Sequence, residues 1–364
     1  MLQDDLRQAE RAQAQIALAL GSDTRKRILS GVYFARSDMA SVVRQSAVQV
    51  WKTVVSVTAR TLREILDILV GKVVKALASG HMEQTQVAGR CLGDVVTKLG
   101  DTVLPEIIPV LRDELIHGDQ KTRRGACIGL TEVIDSSSKE QINKFLNILL
   151  KAVQDALCDE DEGVRKMAAS CFQSLQSVAG SRASDEVVPA LLAAMERDDG
   201  VSRNRALNGL TSILSIRSKE LLPYLVHRLI QRPITKGHAD ALATIATVTG
   251  DTIHPFFKTI IPSILYELDL AHENDEDNDE ERIQSIRNCV RSIFNHVEAS
   301  SVDWLISEIA SKCPNDKEGI RLESCWMIGA VVEERKWELK NDTSFKSVVS
   351  MEISREFKLT SFLH

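Results

Sequence analysis

The sequence predicts an all-α chain, a right-handed stack of antiparallel helix pairs (an α-solenoid). Three observations lead there. One apolar frame recurs eight times along the 364 residues, proline recurs in a single slot ahead of that frame, and the hydrophobic complement is aliphatic, 44% hydrophobic against 4% aromatic. Single cores stop growing near ~250–300 residues, so a chain this long needs two globular domains or an elongated array.

The frame is a short polar loop, then Val-Arg or an equivalent, then Ala three residues later, with large apolar residues four, seven and ten beyond that Ala. Its clearest copy is Val164-Arg165, Ala168-Ala169, Phe172, Leu175 and Val178. Arg44 leads to Ala47, Trp51, Val54 and Val57; Arg123 to Ala126, Leu130 and Val133; Arg203 to Ala206, Leu210, Ile213 and Ile216; Arg321 to Ser324, Ile328 and Val331. Thr85 (Ala88, Leu92, Val95, Leu99) and Thr235 (His238, Leu242, Ile245, Val248) keep the frame without the arginine. The copy at Arg282 (Ile286, Val290, Ile293) is blurred by one residue. The intervals between frame positions, all but one of them 38 to 47 residues, lie nearer the ~40–47 residues of HEAT repeats than the ~33–34 of ankyrin or TPR units, whose consensus residues are missing. A HEAT-repeat array of about eight pairs is expected over residues 23–335. Residues 1–22 read as the second helix of a partial repeat, and 336–364 as a divergent tail. Neither end closes with a polar cap, which suggests a piece of something longer.

The first helix of each pair carries the proline. Pro109, Pro189, Pro223 and Pro262 each follow two apolar residues and precede a frame position by 12 to 20 residues. Proline is expected in a first turn, where its missing N–H loses no bond. The small frame residue then sits where helices approach closely, and the larger ones face the neighbouring repeat.

The recurring arginines (Arg44, Arg123, Arg165, Arg203, Arg321) have two readings. As structure, they form a ladder toward acidic loop residues of their own or the adjacent repeat, since Asp38, Asp119, Asp161 and Asp199 stand just ahead of four of them. As function, they would bind phosphate or an acidic peptide. Spacing that follows the repeat favours the structural reading.

No catalytic or cofactor chemistry is evident, so no enzyme, cofactor or small-molecule substrate is expected. There is no GxxxxGK[ST], GxGxxG, HExxH, or Cys/His cluster at zinc spacing. Thr235, His238 and His254 show no helical-face relation to a carboxylate. The acidic run Glu273–Glu281 fails as a calcium loop, with Glu280 where the turn demands Gly and Ile286 in place of the closing Glu. A solvated inter-helix loop is expected there, with docking of a basic partner as the lesser reading. Seven cysteines without a CxxC pair read as small reduced hydrophobes, as in Gly125-Ala126-Cys127-Ile128. With no signal peptide and no run of ~18 apolar residues, a cytoplasmic protein off the membrane is expected, its sequon at Asn341 idle. A net charge of −6 argues against whole-chain nucleic-acid binding while leaving room for local basic patches.

Some stretches are more specific than generic HEAT sequence. They include Val42-Val43-Arg44-Gln45-Ser46-Ala47, Thr61-Leu62-Arg63-Glu64-Ile65-Leu66, Leu104-Pro105-Glu106-Ile107-Ile108-Pro109-Val110-Leu111 and Gly125 through Val133. With Arg27 through Tyr33, Ala156-Leu157-Cys158-Asp159 and Leu222-Pro223-Tyr224-Leu225-Val226, the chain resembles the general-control-nonderepressible translational activator family over about residues 25–265. That resemblance implies a non-catalytic scaffold that associates with stalled ribosomes. It also implies activation of the general-control kinase, recruited through its RWD domain, so that starvation leads to phosphorylation of translation initiation factor 2α. The resemblance places the kinase-binding part of the family further toward its C-terminus, so no kinase-contact residue is carried over. The alternative is another HEAT adaptor, a karyopherin-like carrier or a phosphatase scaffold. Basic clusters at Arg25-Lys26-Arg27, at Lys121 with Arg123-Arg124, and at Arg217 with Lys219 are expected near loops. Lys121, Arg123 and Arg124 are the candidate ribosome contact, and ordinary solvated helix ends are the plainer reading.

Overall fold

In the computed structural model, residues 21–334 are described, apart from 198, 274–278 and 298. Among them every regular element is helical: fifteen α-helices and two 3₁₀ segments, Gly100–Thr102 and Gly250–Phe256. The expected partial repeat over 1–22 and the tail beyond 335 lie almost wholly outside the described residues. The chain divides into two compact units, up to Val187 and from Val188.

The first unit contains α1 (Ser22–Ala35), α2 (Ser41–Val54), α3 (Thr58–Leu77), α4 (Met82–Leu99), α5 (Leu104–His117), α6 (Gln120–Asp135), α7 (Lys139–Leu157) and α8 (Glu162–Ala179). They pack as α1 on α2, α3 on α4, α5 on α6 and α7 on α8, and the second helices α4, α6 and α8 pack on one another in turn. Helix α9 (Ser181–Met195) crosses the division. The second unit contains α10 (Gly200–Leu229), α11 (Lys236–Thr249), α12 (Phe257–Glu273), α13 (Asp279–His296), α14 (Ala299–Ala310) and α15 (Glu318–Glu334). There α11, α13 and α15 pack in series.

The frame residues form the core. Ala168, Phe172 and Leu175 are buried, as are Leu92 and Val95 on α4 and Leu130 and Val133 on α6. Two copies lose the frame at its end. Helix α2 stops at Val54 and the next residue is extended, so Val55 is buried and Val57 is exposed. Helix α10 kinks at Arg217, whose φ of −136° and ψ of 44° are not helical, and Ile216 just before it is exposed. The kink separates the second helix of one pair from the first helix of the next.

Side chains set the helix starts. Asp119, Asp161, Asp199 and Thr235 accept bonds from the backbone amides of Thr122, Val164, Val201 and His238 at the starts of α6, α8, α10 and α11, satisfying donors with no partner inside the helix. Ser138 and Gln141 close a reciprocal capping box on α7. Helices α4 and α8 stop at Gly100 and Gly180, whose φ values of 48° and 64° suit glycine alone.

The prolines depart from expectation. Pro109, Pro189, Pro223 and Pro262 lie inside their helices. The helices begin about a turn or more upstream of the expected first turn, and each proline leaves one carbonyl four residues earlier without its amide donor. Five cysteines are buried, Cys158 is half-buried and Cys325 is exposed; all seven are free thiols. Of the acidic run, Glu273 ends α12 and Asp279 begins α13, with the intervening residues outside the described set. No helix among the described residues is long and apolar enough to cross a membrane.

Candidate partner-binding edge

Helix α6 starts where Asp119 accepts from the Thr122 amide at 2.8 Å, and its first turn carries Lys121, Arg123 and Arg124. The structure brings Arg123 and Arg124 to the α7–α8 loop of the next helix pair, which carries Asp159, Glu160 and Asp161. Arg123 grips that loop at several points. Its Nε donates to Asp159 Oδ2 at 2.7 Å, and its Nη2 donates to Asp159 Oδ1 at 3.0 Å and to Glu160 Oε1 at 3.4 Å. A fourth bond runs from Nη1 to the Gly118 carbonyl at 3.1 Å. The bond to Asp159 holds the guanidinium above its already high range.

Arg124 Nη2 donates to Asp161 Oδ1 at 2.9 Å. The guanidinium lies so close over Gly163 that a Cβ there would sit 2.2 Å from it. Burial pushes the Asp161 carboxyl up, but bonds from Arg124, the Val164 amide and Gln120 outweigh it and hold it below the ordinary carboxylate range. Lys121 differs from both arginines. Its methylenes lie over the Gly80 turn, its side chain is exposed, and it has no ion pair among the described residues. The expected basic edge is therefore largely neutralised, because two of its three cations are bound to carboxylates of the following loop. The Arg25-Lys26-Arg27 cluster likewise lies within α1, with Arg25 paired to Glu64 at 3.2 Å.

The other frame arginines bind carbonyls. Arg44 Nη1 donates to Asp38 O at 2.7 Å and Met39 O at 2.6 Å. Arg165 Nη1 donates to Asp159 O and Glu160 O, both at 2.9 Å, and Arg321 Nη1 to Asn315 O at 2.7 Å and Asp316 O at 3.0 Å. Arg203 reaches Met195 O at 3.0 Å and Arg197 O at 3.1 Å. Each arginine thus ties down the loop leading into its own helix, while Asp119, Asp161 and Asp199 cap helices and do not pair with the arginine of their own loop. Arg282 reaches back instead to the Ile234 carbonyl at 3.1 Å and pairs with Glu267.

The family model for stalled ribosome sensor GCN1-like HEAT repeats matches residues 39–211 and 221–352. The chain belongs to the GCN1-like HEAT-repeat family. The mouse stalled ribosome sensor GCN1 is 41% identical over 253 residues, which is 70% of this chain and 9% of the mouse protein. The eIF-2-alpha kinase activator GCN1 of Dictyostelium discoideum is 36% identical over 311 residues, 85% of this chain and 11% of that relative. The chain thus spans about a tenth of the length of these curated relatives. A crystal structure of Kap121p is similar at 15% identity with a TM-score of 0.40, covering 94% of this chain and 37% of that one, too low to carry functional weight.

Other polar contacts are invisible in the sequence pattern. Glu323 of α15 is buried and takes Arg287 of α13, with Nη2 to Oε1 at 2.5 Å. The one faint signal is Ser324, a polar residue where most copies have Ala. Glu196 lies 3.8 Å from His238 Nε2 and accepts from Thr235 Oγ1 at 2.5 Å, a pairing between separate helix pairs that no helical-face count reveals. No group of three His, Cys, Asp or Glu among the described residues could hold a metal ion.

Proposed function

We propose that this chain is the HEAT-repeat portion of a cytoplasmic, ribosome-associated activator of the translation initiation factor 2α kinase, coupling stalled ribosomes and amino-acid starvation to that kinase. The observation that carries the reading is the 41% identity with the mouse stalled ribosome sensor over 253 residues. The kinase-activator name of the Dictyostelium relative supports the second partner. In this reading the chain binds and positions macromolecules through its surface and performs no chemistry. The kinase would be engaged through its RWD domain, by the longer protein and not by any residue of the α6 edge.

At that edge, Lys121 is the cation left for a phosphate of ribosomal RNA, Arg124 contributes its half-exposed guanidinium, and Arg123 holds the α7–α8 loop. The test is co-sedimentation of the chain with ribosomes across a salt series, beside a pull-down from starved-cell lysate probed for the kinase. Lys121→Glu should leave melting unchanged and weaken co-sedimentation. It should also flatten the salt dependence by about one unit of slope for each phosphate the chain no longer neutralises. If the parent chain brings down neither ribosomes nor the kinase, the reading fails for this segment. If the parent sediments and Lys121→Glu sediments equally at every salt concentration, this edge is not where the ribosome binds.

A further inference from the structure

The second unit holds a cleft of about 350 Å³ in which the loop before α11, helix α12 and the loop before α15 converge. Arg232, Tyr266, Lys312 and Asn315 line it with apolar walls from Leu265 and Ile320. None of the lining residues is acidic. The Arg232 guanidinium lies over the face of Tyr266, its carbon 3.5 Å from the ring centre. Stacking engages the flat face of a guanidinium and leaves its in-plane N–H donors available, and Arg232 is exposed with no hydrogen bond or ion pair among the described residues.

The neighbouring groups are accounted for. Lys317 Nζ pairs with Asp269 Oδ2 at 2.6 Å, and Lys312 pairs with Glu308 at 3.3 Å. The Asn315 carboxamide oxygen accepts from the Lys317 amide at 3.0 Å, which orients its NH₂ group as a further donor.

This arrangement is held in advance. Two residues beyond Arg232, the Ile234 amide donates to Glu267 Oε1 at 3.2 Å and the Ile234 carbonyl accepts from Arg282 Nε at 3.1 Å. Arg282 and the buried Glu267 are themselves paired. The backbone carrying Arg232 is therefore clamped to α12 one residue past Tyr266. A donor fork held in place loses little freedom on meeting a planar anion.

We propose that this cleft binds a carboxylate or phosphate carried on an acidic peptide segment, with the adjoining apolar side chain of that peptide against Leu265 and Ile320. RNA fits less well. Polynucleotide affinity needs many cations along a backbone track, and here Lys312 and Lys317 are already paired. The Tyr266 face that would stack a base is covered by Arg232.

The test is fluorescence anisotropy with the whole chain and four labelled probes. These are an octapeptide alternating leucine and glutamate, its counterpart with phosphoserine for glutamate, an alternating leucine–lysine control, and oligo-uridylate of matching length. The expected result is binding of one or both acidic peptides but not the control. Arg232→Ala should weaken that binding about tenfold, and Arg232→Lys should recover little of it, since a lysine keeps the charge but not the planar fork. Both variants should melt as the parent does. Preference for glutamate or phosphoserine identifies which anion the cleft prefers. The proposal is overturned if neither acidic peptide binds, if the control binds equally, if Arg232→Ala binds as the parent does, or if oligo-uridylate outcompetes both peptides.

Discussion

Arg123 and Asp159, 36 residues apart on successive helix pairs, meet in a two-point bond in which their side chains are only 16% and 12% exposed. Such a forked, charge-assisted contact fixes the angle of approach as well as the distance. Losing either partner strands the other in a part-buried site, so Arg123→Ala and Asp159→Ala should each cost about 1.5–3 kcal/mol. The double variant should cost less than the two added together, with a coupling of about 1 kcal/mol. Urea denaturation of the four proteins measures this, and simple additivity would show that the bond adds nothing to stability.

Phe172 on α8 is 1% exposed, between Ala168 and Leu175 of its own frame. Phe172→Ala removes a large buried side chain and should cost ~3–5 kcal/mol. In a repeat array each unit leans mainly on its neighbours. Hydrogen exchange should therefore quicken most in α6, α7 and α8 and least in α1 and α2. Equal quickening throughout the first unit would contradict that locality.

Two glycines offer a steric comparison. A Cβ on Gly125 of α6 would lie 2.5 Å from the carbonyl carbon and oxygen of Leu77, which are backbone atoms with little room to yield. Gly125→Ala should therefore destabilise by about 1–3 kcal/mol or more. Gly71, inside α3, has nothing within 4 Å of its Cβ position. Gly71→Ala should stabilise by roughly 0.5–1 kcal/mol, because alanine loses less conformational freedom in a helix. Thermal melts of opposite sign are expected, and a stabilised Gly125→Ala would show that the close approach of α3 and α6 at Gly125 does not limit stability.

What is legible in the sequence is the part governed by helical period. Ala168, Phe172 and Leu175 announce their burial by spacing alone, because residues three and four apart share a helix face. The period says nothing about where a helix stops, so Val57 and Ile216 fit the frame although the chain turns at Val55 and kinks at Arg217. Contacts between pairs are hidden for a related reason. Arg123 and Arg124 look like a free basic cluster until the fold superposes the next loop, with Asp159 to Asp161, beside them. The meeting of Arg232 with Tyr266 likewise depends on how one loop crosses a neighbouring helix, which no local pattern encodes. Asp161 looks like a partner for the nearby Arg165, yet its carboxylate caps α8 and receives Arg124 from the preceding repeat.

That double duty makes Asp161 a test of linkage. Its carboxyl is held below the ordinary range in the folded chain, so the folded state binds its proton less readily than the unfolded chain does. The stability this contributes is fully present above the unfolded value of about 3.9 and is lost as pH falls through the lower folded value. Asp161→Asn keeps a capping oxygen, since asparagine caps about as well as aspartate, but gives up the charge facing Arg124. Because Arg124 is 45% exposed, the pair lies near the surface range, and the parent should exceed the variant by about 0.5–1 kcal/mol at pH 7. The gap should stay constant down to about pH 5 and close below about pH 4 as the parent's carboxyl protonates. Chemical denaturation of both proteins from neutral pH down to about pH 3 provides the measurement. A gap unchanged at the acid end would mean that the charge on Asp161 is not what separates them, and that the asparagine has altered the cap itself.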